Sequence, residues 1–318
     1  MKLKEKILSA FTLTVATAAA ISAINKIIFA KAESHNLSSG FPTDLSLTYH
    51  WRFGQIRYQT CGSGRPILLI HSIDPCMSSY EWKKIIKPLS QNHTVYAMDL
   101  IGCGFSEKPG FLYTNFLYVQ LINDFVKDII GRRTDVICSG NSSSVILMAC
   151  RNNDALFDQI TMLNPEPISE TLQIPSSQSK LMRYFYNLPV IGTLGYNIAF
   201  SKRMLEERFL KEYASFSNVR LSSDDLEHFY HNAHIGGYNC KMLYASLRGK
   251  YMNINISNAL RDVNNSILLV GGDRVNNMEE TLHEYQEMNP SVETCILKNT
   301  GSLIALESPE KLMKILIS

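Results

Sequence analysis

The chain has 318 residues, 45% hydrophobic and 19% charged, which is enough apolar material for a sizeable core and too much for general disorder. Lys and Arg number 31 against 29 Asp and Glu, a net charge of +2, and there is no basic block, glycine-arginine tract or zinc-finger spacing, so nucleic acid is not an expected partner. The cysteines (Cys61, Cys76, Cys103, Cys138, Cys150, Cys240 and Cys295) form no CxxC pair, and buried thiols are expected rather than a disulfide framework or a zinc site.

Lys2, Lys4 and Lys6 precede an apolar run from Ile7 to Ile24. As a helix this run spans roughly 27 Å, close to a bilayer core of ~30 Å. Residues 1–32 read as a signal-anchor or a signal peptide, with Ala30-Lys31-Ala32 as an A-x-A site that lies well past the run and so favours the anchor. The expected location is a membrane, held through this single segment, or the exterior if the segment is cleaved. Residues 33–44, with Ser38-Ser39-Gly40 and Pro42, read as a linker.

From about Leu45 the pattern is strand and turn. Leu47–Phe53 and Gln55–Cys61 read as a hairpin around Gly54, and Pro66–His71 as a strand buried on both faces. A helix is predicted over Ser78–Leu89, a strand over Thr94–Leu100 and a helix over Tyr113–Ile130. A strand over Thr134–Ser139, a helix over Ser143–Arg151 and a strand over Gln159–Asn164 follow. This alternation predicts a parallel sheet flanked by helices. Between about Pro167 and Ile256 it stops, and the segment reads as an inserted helical lid rich in Tyr and Leu. A strand over Ser266–Gly271, a helix over Met278–Met288, a strand over Thr294–Leu297 and a last helix from Pro309 complete the chain. The expected division is a core from 45–166 and 259–318, interrupted by a lid over 167–258.

Gly140-Asn141-Ser142-Ser143-Ser144 falls between a predicted strand and a predicted helix. A serine on such a turn stands above the carboxyl end of the sheet as a nucleophile, and the following amide stabilises an oxyanion. Ser142 is the candidate nucleophile and the N–H of Ser143 a candidate oxyanion donor. With this string go His71-Ser72 after a buried strand, Trp82 in the next helix, and Asp99-Leu100-Ile101-Gly102-Cys103-Gly104-Phe105-Ser106. Together they resemble the α/β-hydrolase superfamily from about Leu45 to the C-terminus. The resemblance implies an α/β fold with a mostly parallel eight-stranded sheet, flanking helices and an inserted helical lid. It also implies a second oxyanion donor, the N–H of Ile73, with Ser72 standing where the family usually has Gly.

The same resemblance implies an acid and a base. The acid position after the Ser266–Gly271 strand falls on Val275, which leaves Asp273 or Glu166 as alternatives. The base position in Gly301-Ser302-Leu303-Ile304-Ala305-Leu306-Glu307-Ser308-Pro309-Glu310 falls on Ser302, whose hydroxyl is far too weak a base to activate a serine. His228, His231 and His234 lie on one helix but drift around it, so they form no metal face. His234 is the candidate for a displaced base, and His71 reads as structural.

Two functions remain open. One is a serine hydrolase acting on a small ester, thioester or amide with an apolar group. The other is an inactive member of the same fold, membrane-tethered, that binds a ligand or a partner. No cofactor is expected, because Gly102 and Gly104 lie in a loop that is not a nucleotide-binding turn. The expected partners are a small molecule and a membrane.

Overall fold

Residues 2–34, 46–213 and 222–317 are described by the computed structural model. Most of the expected linker, 35–44, lies outside them. The N-terminal segment is one helix, α1 (Lys2–Ser34), of which Thr12–Ser34 is long and apolar enough to cross a membrane.

Among the described residues the sheet has eight strands in the order β1-β2-β4-β3-β5-β6-β7-β8. These are β1 (Ser46–Trp51), β2 (Gly54–Cys61), β3 (Arg65–Ile70), β4 (His93–Met98), β5 (Thr134–Ser139), β6 (Phe157–Leu163), β7 (Ser266–Gly272) and β8 (Glu293–Leu297). The β1–β2 and β2–β4 pairs are antiparallel and the rest are parallel, as the alternating pattern predicts. Every residue of β5 is buried, which is why the central strands read as unbroken apolar runs.

The expected helix over Ser78–Leu89 is instead two short pieces, a 3-10 turn at Ser79–Trp82 and α2 (Ile86–Leu89). A single helix would carry Pro88 in its interior, where the missing amide and the ring disrupt it; in α2, Pro88 sits within the first turn. Trp82 is wholly buried, as its spacing suggested. Next come α3 (Asn115–Phe125), capped by Thr114 and ending through a wider turn at Val126–Ile130, and α4 (Ser142–Asn152).

Between β6 and β7 the described residues form helices only: α5 (Ile168–Thr171), α6 (Ser177–Asn187), α7 (Ile191–Ala199), α8 (Lys202–Tyr213), α9 (Ser223–His234), α10 (Cys240–Arg248) and α11 (Ser257–Asp262). Ser222 and Asp225 form the expected capping box on α9. This insertion has an aromatic core of its own, Tyr196, Phe200, Phe209 and Phe229, which closes on Cys76, Met77 and Tyr80. Polar bonds fasten it there. Lys83 pairs with Asp225 at 2.5 Å, and the Asn232 amide donates to the Cys76 carbonyl at 3.1 Å. The chain ends with α12 (Met278–Met288), α13 (Ile304–Glu307) and α14 (Pro309–Ile317).

The loop after β4 is held by one carboxylate. Asp99 accepts from the amides of Ser79 and Phe105, both at 2.8 Å, and Ser106 Oγ donates to the Asp99 carbonyl at 2.5 Å. Gly104 has φ of +48°, and a Cβ there would lie 2.3 Å from Asp99 Oδ2. Since Asp99 cannot move without releasing both amides, Gly104→Ala should lower unfolding stability by ~2–4 kcal/mol, the sum of left-handed strain and overpacking. A urea titration of wild type and variant checks this.

Candidate functional site

The candidate site lies at the carboxyl ends of β3, β5, β6 and β7, where open α/β sheets bind ligands. Its centre is the turn from β5 into α4. Between these elements the positive φ belongs to Gly140, at +54°, while Asn141 is already helical and Ser142 begins α4. The seat of an elbow is the residue with the strained backbone, so the seat here is Gly140, two residues earlier than expected. The frame becomes Cys138-Ser139-Gly140-Asn141-Ser142, with small residues on either flank and no side chain at the seat.

Ser142 is therefore not where the sequence placed it. It is wholly buried, and its Oγ donates to the carbonyl of Ser139 at 2.7 Å, beneath the turn. The N–H of Ser143 is also committed, donating to the Gly140 carbonyl at 3.2 Å to close the first helical turn. By the geometry of such elbows, the amide facing the hole is the one after the seat, which is that of Asn141.

The other expected donor, the N–H of Ile73, is in place and already engaged. It donates to Asn141 Oδ1 at 2.7 Å, while Asn141 Nδ2 donates back to the Ile73 carbonyl at 2.9 Å. Ser72 Oγ adds a third bond to Asn141 Oδ1 at 3.2 Å. One carboxamide thus satisfies the loop after β3 on both its donor and its acceptor.

Ser302 lies in the loop before α13, and a second asparagine holds it there. Asn164, at φ of +46°, donates to the carbonyls of Gly301 and Ser302 at 3.0 and 2.9 Å and accepts from the Gly272 amide at 2.8 Å. It thereby ties the ends of β6 and β7 to the Ser302 loop. Glu307 closes that loop from behind, accepting from the amides of Gly301 and Leu303 at 2.7 and 2.9 Å. Glu307 is thus a structural clasp.

Asp273 accepts from the Thr300 amide at 3.2 Å. Burial works against its charge, but the amides of Asn299 and Thr300, with Arg274 and Lys298, outweigh it and hold the carboxyl below its usual range. Glu166 is pushed up to about 7 by burial and by the neighbouring Glu170. No hydrogen bond among the described residues joins either carboxylate, Ser302 and Ser142 into a relay.

The displaced-base candidate, His234, packs between the insertion and α1. Its ring lies among Phe29, Tyr196 and Tyr230, and its Nδ1 meets the Tyr230 carbonyl at 2.8 Å. Burial holds it neutral, with a pKa lowered to about 4. His228 stacks on Tyr80 at 3.7 Å and is held neutral in the same way. His71 is structural, as expected: Nε2 accepts from the Leu100 amide at 3.0 Å, so Nδ1 carries the proton towards the Ser72 carbonyl at 2.7 Å.

Glu81 was not singled out in the sequence. Fully buried behind the turn, it accepts from Ser139 Oγ at 2.9 Å and from the Ser72 amide at 3.4 Å. Burial pushes its carboxyl up to about 7 in spite of these bonds.

A family model described as "Alpha/beta hydrolase family" matches residues 67–315. The chain belongs to the alpha/beta hydrolase family. Among curated proteins it is similar to a 2-hydroxy-6-oxo-6-(2'-aminophenyl)hexa-2,4-dienoic acid hydrolase of Metapseudomonas resinovorans, 34% identical over 74 residues, which are 23% of this chain and 26% of that one. It is also similar to a soluble epoxide hydrolase of Corynebacterium sp. (strain C12), 30% identical over 113 residues, 36% of this chain and 39% of that one. The chain thus spans about a quarter to two fifths of the length of these relatives. Among solved structures, a membrane phospholipase A described as a bacterial virulence factor superposes with a TM-score of 0.67 at 16% identity, covering 98% of this chain and 97% of that one, which shows a shared fold.

The buried Glu81 makes a pH prediction for this alpha/beta hydrolase. Its folded pKa, about 7, lies above the ordinary 4.5, so it is neutral to stability below about 4.5 and destabilising as pH rises to about 7. His228 and His234 have the opposite sign, with stability gained as pH rises from about 4 to 6.5. The difference between wild type and Glu81→Gln removes the histidine contributions. That difference should grow by about 3 kcal/mol in favour of the variant between about pH 4 and pH 8, as measured by denaturant unfolding.

Proposed function

We propose that this chain is a membrane-tethered alpha/beta hydrolase family member that binds a small molecule with an apolar acyl or aryl group and does not turn it over by a serine triad. The observation that carries this reading is the empty seat at Gly140, beside which the Asn141 carboxamide already occupies the Ile73 amide. Without a nucleophile on the strained turn, and with Val275 and Ser302 at the acid and base positions, the family's acyl transfer has neither a bond-forming atom nor a proton acceptor. What remains at the sheet ends is a set of partly accessible polar groups, Ser72, Asn141 and Ser302, suited to orienting a ligand. The helical insertion over 167–258 acts in this reading as a lid whose aromatic residues favour apolar groups, and α1 acts as an uncleaved anchor. The curated relatives are named as hydrolases; what this chain inherits from them in this reading is the binding region.

A second reading keeps catalysis and is favoured by one contact, the 2.9 Å bond between Ser139 Oγ and Glu81. A carboxylate titrating near neutrality is matched to general-base work, and Ser139 adjoins the empty seat. Ser139 would then be the nucleophile of a serine hydrolase acting on small esters, in place of Ser142 with His234.

The two readings part on one experiment with the full chain in detergent. Under the binding reading, a fluorophosphonate probe leaves wild type unlabelled and a panel of p-nitrophenyl esters is not hydrolysed. Ser302→His alone stays silent, because a base has nothing to activate, and p-nitrophenyl octanoate raises the melting temperature without being consumed. Labelling of wild type that disappears in Ser139→Ala would establish the second reading, and labelling that disappears only in Ser142→Ala would restore Ser142 as nucleophile.

A further inference from the structure

α1 is built into the insertion along half its length. Asn25, Phe29 and Ala32, spaced four and three residues apart, are buried on one face of the helix. Asn25 is wholly enclosed: its Nδ2 donates to the Val190 carbonyl at 3.2 Å, and Asn197 Nδ2 donates to its Oδ1 at 2.9 Å. Phe29 meets the edge of Tyr238 at 5.1 Å and the ring of His234 at 6.0 Å. A buried asparagine with both ends satisfied fixes the rotation and depth of the helix, since sliding it would leave its own carboxamide and that of Asn197 unpaired. Further towards the N-terminus, side chains of α1 such as Leu13 and Val15 are 70% and 52% exposed.

On α1 and the helices packed near it, several large apolar side chains are exposed among the described residues. Ile24 and Ile27 are exposed on α1, and Ile191 and Ile198 are exposed on α7, seven residues apart and so on one face. Leu181 and Tyr184 continue the patch on α6, which packs against α7. Exposed cations lie on the same helices: Lys26 and Lys31 on α1 and Lys180 on α6. Apolar side chains accompanied by lysines match the boundary between acyl chains and anionic headgroups.

We propose that this face of the insertion, carrying Leu181, Tyr184, Ile191 and Ile198, docks into the surface of the lipid bilayer that α1 enters, with residues 21–34 of α1 as a rigid strut. The proposal rests on the reading of α1 as an uncleaved anchor. Continuity singles out the bilayer: the exposed face adjoins the helix that would lead into it, and the Asn25 clasp sets the angle between them. Cleavage after Ala32 would strip Asn25 and Phe29 from the insertion and leave Asn197 without its partner.

The test uses the full chain in vesicles of phosphatidylcholine and phosphatidylglycerol, with a single reporter tryptophan placed in turn at Ile198, Leu13 and Phe116. Trp51 and Trp82 are buried and give a constant background; Phe116 is 64% exposed on α3, in the core rather than the insertion. Lipids brominated near the headgroup end of the acyl chain should quench Ile198→Trp and shift its emission to the blue, and leave Phe116→Trp unchanged. Adding Asn25→Leu should reduce quenching of Ile198→Trp while Leu13→Trp stays quenched. If Leu13→Trp is quenched and Ile198→Trp behaves like Phe116→Trp, the docking face is overturned and the anchor stands. If Leu13→Trp is also unquenched, the anchor reading fails and takes the proposal with it.

Discussion

The structure around the candidate site depends on one backbone constraint, the reversal from β5 into α4 within a single residue. That reversal needs a positive φ, and a side chain placed there carries strain that an enzyme recovers as exposure of its nucleophile. Gly140 adopts it with none. With no Cβ at the seat, the space beside Ser72 stays open, and the Asn141 carboxamide reaches across it to Ile73. A serine at position 140 would bring its Cβ within 2.7 Å of Ser72 Oγ, so the clasp and the side chain at the seat compete for the same volume.

A second feature of the site is that amides, more than charges, hold it together. Triad chemistry needs a charge that moves between acid, base and oxyanion. Here the sheet ends are joined by two carboxamides, Asn141 and Asn164, that each use donor and acceptor together. Burial favours the uncharged forms of Glu81, Glu166 and His71, while Asp273 is held charged by the amides of Asn299 and Thr300. Satisfied amides in a buried network hold loops rigid and specify a single arrangement. Such a network can order a ligand at its edge, and it offers no proton relay.

The fold was legible because it follows from apolar patterning alone. Strands buried on both faces, such as β3 and β5, must be continuous runs, and eight strand segments, most of them separated by helices, leave little freedom in topology. The insertion was visible as the place where the rhythm stops. The site was harder to read because its register depends on one backbone angle. The string Gly140-Asn141-Ser142-Ser143-Ser144 matches the elbow pattern by residue type, yet the strand ends at Ser139, and a turn that follows immediately must use Gly140. The strand boundary therefore carried the information and the motif obscured it. Glu81 and Asn164 were invisible for another reason: their roles come from contacts 58 and 138 residues away in sequence, to Ser139 and Ser302. The helix expected over Ser78–Leu89 broke where Pro88 required it to.

A further set of polar bonds connects α1 to the site in a definable way. α1 holds the insertion through Asn25, and the insertion holds the loop that carries Ile73: Arg208 pairs with Asp74 at 3.1 Å, Asn232 donates to the Cys76 carbonyl, and Asp225 pairs with Lys83. Spatial continuity of this kind is not coupling. It does fix which bonds must break for the insertion to move. Lifting it away exposes two aspartates, a lysine and an arginine that are each partly buried, and it uncovers the aromatic contact of Tyr80 with Phe229. Both costs fall on the face nearest the Asn141 clasp, while the outer face of the insertion loses nothing. The inner ion pairs and the Tyr80–Phe229 contact therefore hold the insertion in place by themselves, and in the arrangement proposed above lipid on the outer face adds a second restraint.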